Sequence, residues 1–434
     1  MGSRLRNART KNVVWDPGVG GWDQFWHTLD LAISGAKTKR EMLVGRSGSG
    51  FSPSYLEVAH GRRGWKADNG FQGLLATYSP FVNWLNQDVV TRINGCVVMI
   101  RFVVVAYPYN WTNSNLGSAA GVGEAVAWAA SQSEEIAQRL SRQTIKPIIV
   151  THSMGGLVSR AYTQTLGNAG DVQGVIHGAM PTHGSPELYK RIRGGFEGGT
   201  RFILGKDQEQ VTATAANMPG PLELAPNRVY QDVAGHRKWL RALDGVGNLL
   251  HAWPNADPYS EIYANAAPWY KLVQSSLLDP GGNAGRAWSG YVRQVAKAKN
   301  FHAGLEGSSF HPNTRMFYGT ERKTRDHVAW KPMERFAGAY PLDAEYRITS
   351  GRTNLRGYHP ERGVAGGRTF GRTLQMEGPK AKGDGTVQAG SGIHVDQMSV
   401  PIADGFEHQG AFDSRNARKL TVDWLTEMVK EAIA

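Results

Sequence analysis

A serine, an acid and a histidine, arriving in that order, are the residues of this chain whose types and settings suit covalent chemistry. The stretch "IIVTHSMGGLVSRAY" (148 to 162) passes from an apolar run through Ser153 into helical text. A strand, a tight turn and a helix form the geometry that projects a serine hydroxyl from the carboxyl edge of a sheet on a strained backbone. The usual spelling of that turn is G-x-S-x-G. Here it reads Thr151-His152-Ser153-Met154-Gly155, with a threonine in place of the first glycine. Gly155 and Gly156 keep room for strand and helix to approach, and the Met154 backbone N–H, at a helix N-terminus, is suited to stabilise an oxyanion. The plain alternative is a serine that only caps a helix, which explains neither the buried strand before it nor the Met-Gly-Gly after it.

A hydroxyl is a poor nucleophile until a base takes its proton, so a histidine and an acid to orient it are required. "KGDGTVQAGSG" (382 to 392) sets Asp384 between two glycines, and "ADGFEHQGAFDS" (403 to 414) sets His408 in a loop before the last helix. Asp384 also suits a plain Asx turn, and His408 a solvated loop. His327, His359 and His394 are rival bases; Asp396, Asp404 and Glu407 are rival acids. Order, spacing and loop setting favour Asp384 and His408, whose general-base activation contributes on the order of 10² to 10⁴ in rate.

The elements that must position these residues alternate. "CVVMIRFVVVAY" (96 to 107) reads as a strand covered on both faces, 118 to 143 as a helix with Val126, Trp128, Ala129, Ile136 and Leu140 near one face, and 145 to 150 as a strand. A helix over 154 to 166 and a strand over 172 to 180 complete β-α-β-α-β, which predicts a doubly wound, mostly parallel α/β sheet. Gly, Pro, Asn and Trp-rich text from 183 to 310 reads as an insertion. A strand follows at 314 to 320, then loops or short strands to 383, and an amphipathic helix closes the chain at 414 to 434. The expected organisation is a core over 1–182, a cap or lid over 183–310 and the rest of the core over 311–434. Trp253, Trp269, Tyr270, Trp288 and Tyr291 suit either an interfacial lid or packing of the insertion.

Composition narrows the partners. No apolar run approaches the roughly 20 residues that span a bilayer, and the start carries no apolar signal segment, so a cytoplasmic location is the default and any export follows another route. The formal charge of +12 favours an anionic partner. Its dispersal, and the lack of nucleic-acid-binding motifs, point to an anionic membrane surface rather than nucleic acid. One cysteine, Cys96, excludes an internal disulfide and is expected as a buried, inert thiol. No phosphate loop, H-E-x-x-H or paired C-x-x-C is present, so no cofactor and no metal site is expected.

Several separated motifs together resemble the lecithin:cholesterol acyltransferase-like lipases, a branch of the α/β-hydrolases. "AYPYNW" (106 to 111) is similar to that family's aromatic segment after a core strand, "HSMGG" to its elbow, and "PTHGSPE" (181 to 187) to the stretch after the next strand. "GDGTV" and "EHQG" stand where the family keeps its acid and base. The resemblance implies an α/β-hydrolase fold with a cap and a lipid or phospholipid ester as substrate. It also implies an acyl-enzyme on Ser153 that passes to water or, in an O-acyltransferase, to a second alcohol. "MGSRL" is similar to the family's Gly-Ser-x-Leu segment, which follows a core strand and a turn that supplies the second oxyanion donor. That first core strand is missing from this sequence, so a shortened or misplaced start is expected; the alternative is a rewired hole with Gly18, Gly20 or Gly21 as substitute donors. Two other readings stand beside the enzyme: a lipase-like binding scaffold, and an antibacterial lipase effector with an immunity or delivery partner.

Overall fold

Four parallel strands carry the serine and the loops around it, in the spatial order Met398–Ile402, Thr314–Gly319, Gly174–Gly178, Ile148–His152. The computed structural model describes every residue except 1–2, 16–30, 32, 60–78, 87, 94, 197–204, 307–309, 333–346, 351–354, 362–369, 394–397 and 434. Successive residues of each strand face opposite sides. Val175 and Met316 therefore enter one apolar layer with Leu157, Val158, Phe301 and Leu305. Ile176 and Phe317 enter the other with Phe412, Trp424, Leu425 and Met428 of the closing segments. The doubly wound sheet is thus covered on both faces, as the alternating elements predicted.

The helices form where the pattern placed them, with shifted ends. Val122–Leu140 follows a short helix at Asn115–Ala119, Met154–Arg160 runs on into a wider π turn at Ala161–Thr165, and Arg415–Ile433 closes the chain. Close approach needs glycine at Gly156, where a Cβ would sit 2.5 Å from Met180 Sδ.

The run from 96 to 107 corrects the sequence reading. Cys96–Arg101 pairs antiparallel with Asp88–Ile93 in a separate two-stranded hairpin rather than joining the parallel sheet. Cys96 is exposed there, not buried. The reason is local: Asn94-Gly95 between two β-branched runs is a strong hairpin signal, and Gly95 takes the left-handed conformation such a turn demands, at φ 82°. Ile148–His152 consequently ends the sheet among the described residues, and it is half-buried where Gly174–Gly178 is wholly buried.

A second sheet of six strands takes Leu240–Leu243 and Leu249–Trp253 from the expected insertion, and Val328–Pro332, Arg347–Ser350, Leu355–Glu361 and Phe370–Met376 from the residues after it. Its core joins Trp239, Trp253, Trp269 and Tyr291 with Trp330, Leu374 and Met376. Trp253 stacks on Tyr270 at 4.0 Å, and Trp269 meets Trp330 edge-on at 5.8 Å. The aromatic content of the insertion therefore packs this second core. A third, three-stranded sheet of Leu5–Asn7, Val13–Trp15 and Leu56–Val58 brings Leu5 and Trp15 against Trp111, Met154 and Met218. Among the described residues, no helix is long and apolar enough to cross a membrane.

Candidate active site

Ser153 stands between the strand Ile148–His152 and the helix Met154–Arg160 at φ 52°, ψ −124°. A non-glycine residue in that region is strained, and the strain is what turns the hydroxyl outward from the sheet edge. The turn is locked from both sides. Ser153 N–H donates to the Gly178 carbonyl at 2.9 Å, and Gly156 N–H donates to the Ser153 carbonyl at 2.9 Å. The threonine that replaces the usual glycine fits because its Oγ1 turns to the neighbouring strand, 2.8 Å from His177 Nδ1. Burial and the nearby Arg160 guanidinium hold His177 down at about 3, so it stays a neutral partner. The Met154 N–H, first in its helix, has no acceptor within the helix and is available to a ligand.

The structure brings the two late residues to this serine. His408 Nε2 lies 2.7 Å from Ser153 Oγ, and His408 Nδ1 lies 2.8 Å from Asp384 Oδ2. Asp384 is buried, and its Oδ1 accepts from the N–H groups of Thr386 and Val387 at 2.9 and 2.8 Å. Burial alone would raise the Asp384 pKa. The facing His408 and the two backbone donors outweigh it and hold the carboxyl below its ordinary value. His408 is also fixed through its main chain, since its N–H donates to the Asp384 carbonyl at 3.0 Å. The "PTHGSPE" stretch steadies the acid loop: Ser185 Oγ donates to the Thr386 carbonyl at 2.8 Å.

The rival residues lie elsewhere or outside the description. His327 pairs with Asp326 at 2.8 Å beside the second sheet, Glu407 is exposed and pairs with Arg322, and Asp404 accepts from Ser414 and Asn416. His359 lies on the strand Leu355–Glu361 of the second sheet. His394, Asp396, Gly18, Gly20 and Gly21 lie outside the described residues. Asp232, Asp326 and His327 gather their ligand atoms within 4.8 Å, a grouping the sequence did not reveal. Asp232 is already engaged by Arg241 and His236, and Asp326 by His327 and the Val233 N–H.

A cavity of about 980 Å³ has Ser153 and His408 in its wall and runs on along Ile148–His152 toward the hairpin strand Cys96–Arg101 and the helix Val122–Leu140. Leu188, Phe196, Met218, Pro221, Leu224, Tyr109 and Trp111 are among the residues that line it. Its wall also includes His152, which the sequence reading passed over although it directly precedes the serine.

Neither a family model nor a curated protein matches the sequence. A solved structure does. The chain is similar, over 99% of its length and 97% of the other chain, to the crystal structure of the Tle4–Tli4 complex, with a TM-score of 0.74 and 25% identity. The fold is that of an α/β-hydrolase, and its general type is a serine hydrolase-like enzyme.

Proposed function

We propose that this protein hydrolyses carboxylic esters of lipids or phospholipids through an acyl-enzyme on Ser153. The observation that carries the reading is the aligned set of contacts, Ser153 Oγ to His408 Nε2 at 2.7 Å and His408 Nδ1 to Asp384 Oδ2 at 2.8 Å, on a serine held at φ 52°. Ser153 Oγ attacks the ester carbonyl carbon while His408 Nε2 takes its proton. The oxyanion that forms meets the Met154 N–H. Collapse expels the alcohol, which takes the proton back from His408, and leaves the acyl group on Ser153. Water then attacks with His408 again as base, and a carboxylic acid leaves. Asp384 keeps the proton of the neutral imidazole on Nδ1 and supports the imidazolium during each transfer.

The lipid character of the substrate is supported by the apolar side chains of the cap, Leu188, Phe196, Met218 and Leu224, around the cavity at the serine. The test is labelling by a serine-directed fluorophosphonate together with hydrolysis of p-nitrophenyl esters. Wild-type protein is expected to be labelled and active, and Ser153→Ala to lose both; wild-type protein that shows neither sinks the reading. The similar structure is a complex of Tle4 with Tli4, which supports a protein partner for this chain as well, of the immunity or delivery type. In that role, expression directed to the bacterial periplasm is toxic and the Ser153→Ala form is harmless. Equal toxicity of the two forms overturns the effector role.

A further inference from the structure

We propose that His152 is a positioning residue that ties the backbone of the base to the strand of the nucleophile. The inference rests on the reading of Ser153 and His408 given above. His152 Nε2 lies 2.7 Å from the His408 carbonyl oxygen. A carbonyl can only accept, so Nε2 carries the hydrogen and the tautomer is set. Besides its contact with Ser153 Oγ, His408 is held at three points: its Nδ1 on Asp384 Oδ2, its N–H on the Asp384 carbonyl, and its carbonyl on His152. Two of these belong to the acid. The third belongs to the residue before Ser153, so it joins the main chain of the base to a side chain on the strand of the nucleophile.

The surroundings suit a neutral donor. Burial, followed by the neighbouring His408 imidazole, lowers His152 to about 3. The two imidazole rings lie 5.0 Å apart between centroids, and the edge of His152 meets Phe412 at 6.1 Å. When His408 gains the serine proton, a charged neighbour at that distance would oppose it; a neutral ring does not. The hydrogen bond acts on where the base sits and touches neither substrate nor transferred proton. Its loss should move catalysis more than binding, since displacing a reacting group by about 1 Å can cost on the order of 10² in rate.

His152→Phe keeps an aromatic ring without the donor. His152→Gln returns an N–H at similar reach. His152→Asn holds an amide too short to span the gap. With a soluble p-nitrophenyl ester, kcat is expected to fall about 10- to 100-fold in the Phe and Asn variants, with KM within about threefold. The Gln variant should recover most of the loss, and the rate of fluorophosphonate labelling should follow kcat. Thermal unfolding establishes which variants are folded, and the Gln and Asn pair carries the comparison if Phe is not accommodated. Wild-type kcat in a folded Phe or Asn variant overturns the proposal. So does a folded Gln variant no better than Asn. Failure of the wild-type protein to label would instead remove the reading of Ser153, so the two failures are separable.

Discussion

In the proposed reaction Asp384 would act without meeting the ester, because its three accepted hydrogen bonds leave one orientation for the carboxylate and one for the ring beyond it. Asp384→Asn would keep the shape but face His408 with an amide, which stabilises the wrong tautomer. By the template of serine proteases, kcat is expected to fall on the order of 10⁴-fold with the fold retained. Steady-state kinetics beside a thermal melt checks this; a loss below tenfold would place the orienting role on another acid. At this scale the sequence was readable where chemistry needs fixed neighbours. Ser153 sat among small residues after an apolar run, and Asp384 and His408 sat in glycine-bearing loops in the required order. Contacts that only the fold creates were not readable: Thr151 is tolerated because His177 on the next strand receives it, and His152 matters because a loop 256 residues away passes over it.

Elements carry a different kind of constraint, seen where Glu223 meets Asn115. Glu223, just past the short helix Pro219–Leu222, accepts the Asn115 N–H at 2.7 Å through Oε2, and the carboxylate is buried. Burial outweighs the hydrogen bonds and pushes this carboxyl up to about 8. The native state therefore holds a proton there that the unfolded chain releases near 4.5. Between those values the folded protein binds more protons, so the contribution of Glu223 is full below the lower value and is lost as pH rises through the upper one. Glu223→Gln keeps an acceptor for Asn115 without a charge to bury. Its Tm is expected to gain on the wild type as pH is raised from about 5 to 9, and a difference that stays constant with pH rejects the idea. Sequence patterning predicted the strands around 148, 174 and 314 and the closing helix, since each combines length with a clear period. It misread 96 to 101 because an uninterrupted β-branched run looks alike in a buried parallel strand and in a hairpin. The Asn94-Gly95 turn was the signal that separated them.

Over the described residues, the parallel sheet and the six-stranded sheet are joined through one chain that leaves and re-enters each of them. The second sheet takes strands from both sides of residue 310, a pairing that composition along the chain does not reveal. What composition does reveal is charge, and charge bears on where the proposed ester-cleaving site would meet its substrate. The sequence has 49 Lys and Arg against 37 Asp and Glu, a formal +12 spread along its length. A spread field attracts an anionic surface at long range but is screened beyond about 10 Å at 0.1 M salt, so it assists docking more than chemistry. Hydrolysis of esters in anionic phospholipid vesicles is therefore expected to fall several-fold as salt rises from about 0.05 to 0.5 M. Hydrolysis of a small uncharged p-nitrophenyl ester should hold steady over the same range, because the contacts of Ser153, His408 and Asp384 are short and shielded from salt. Neutral vesicles provide the control. A parallel fall on both substrates would trace the salt effect to the catalytic site, and no fall on anionic vesicles would leave the excess charge without a part in reaching the lipid.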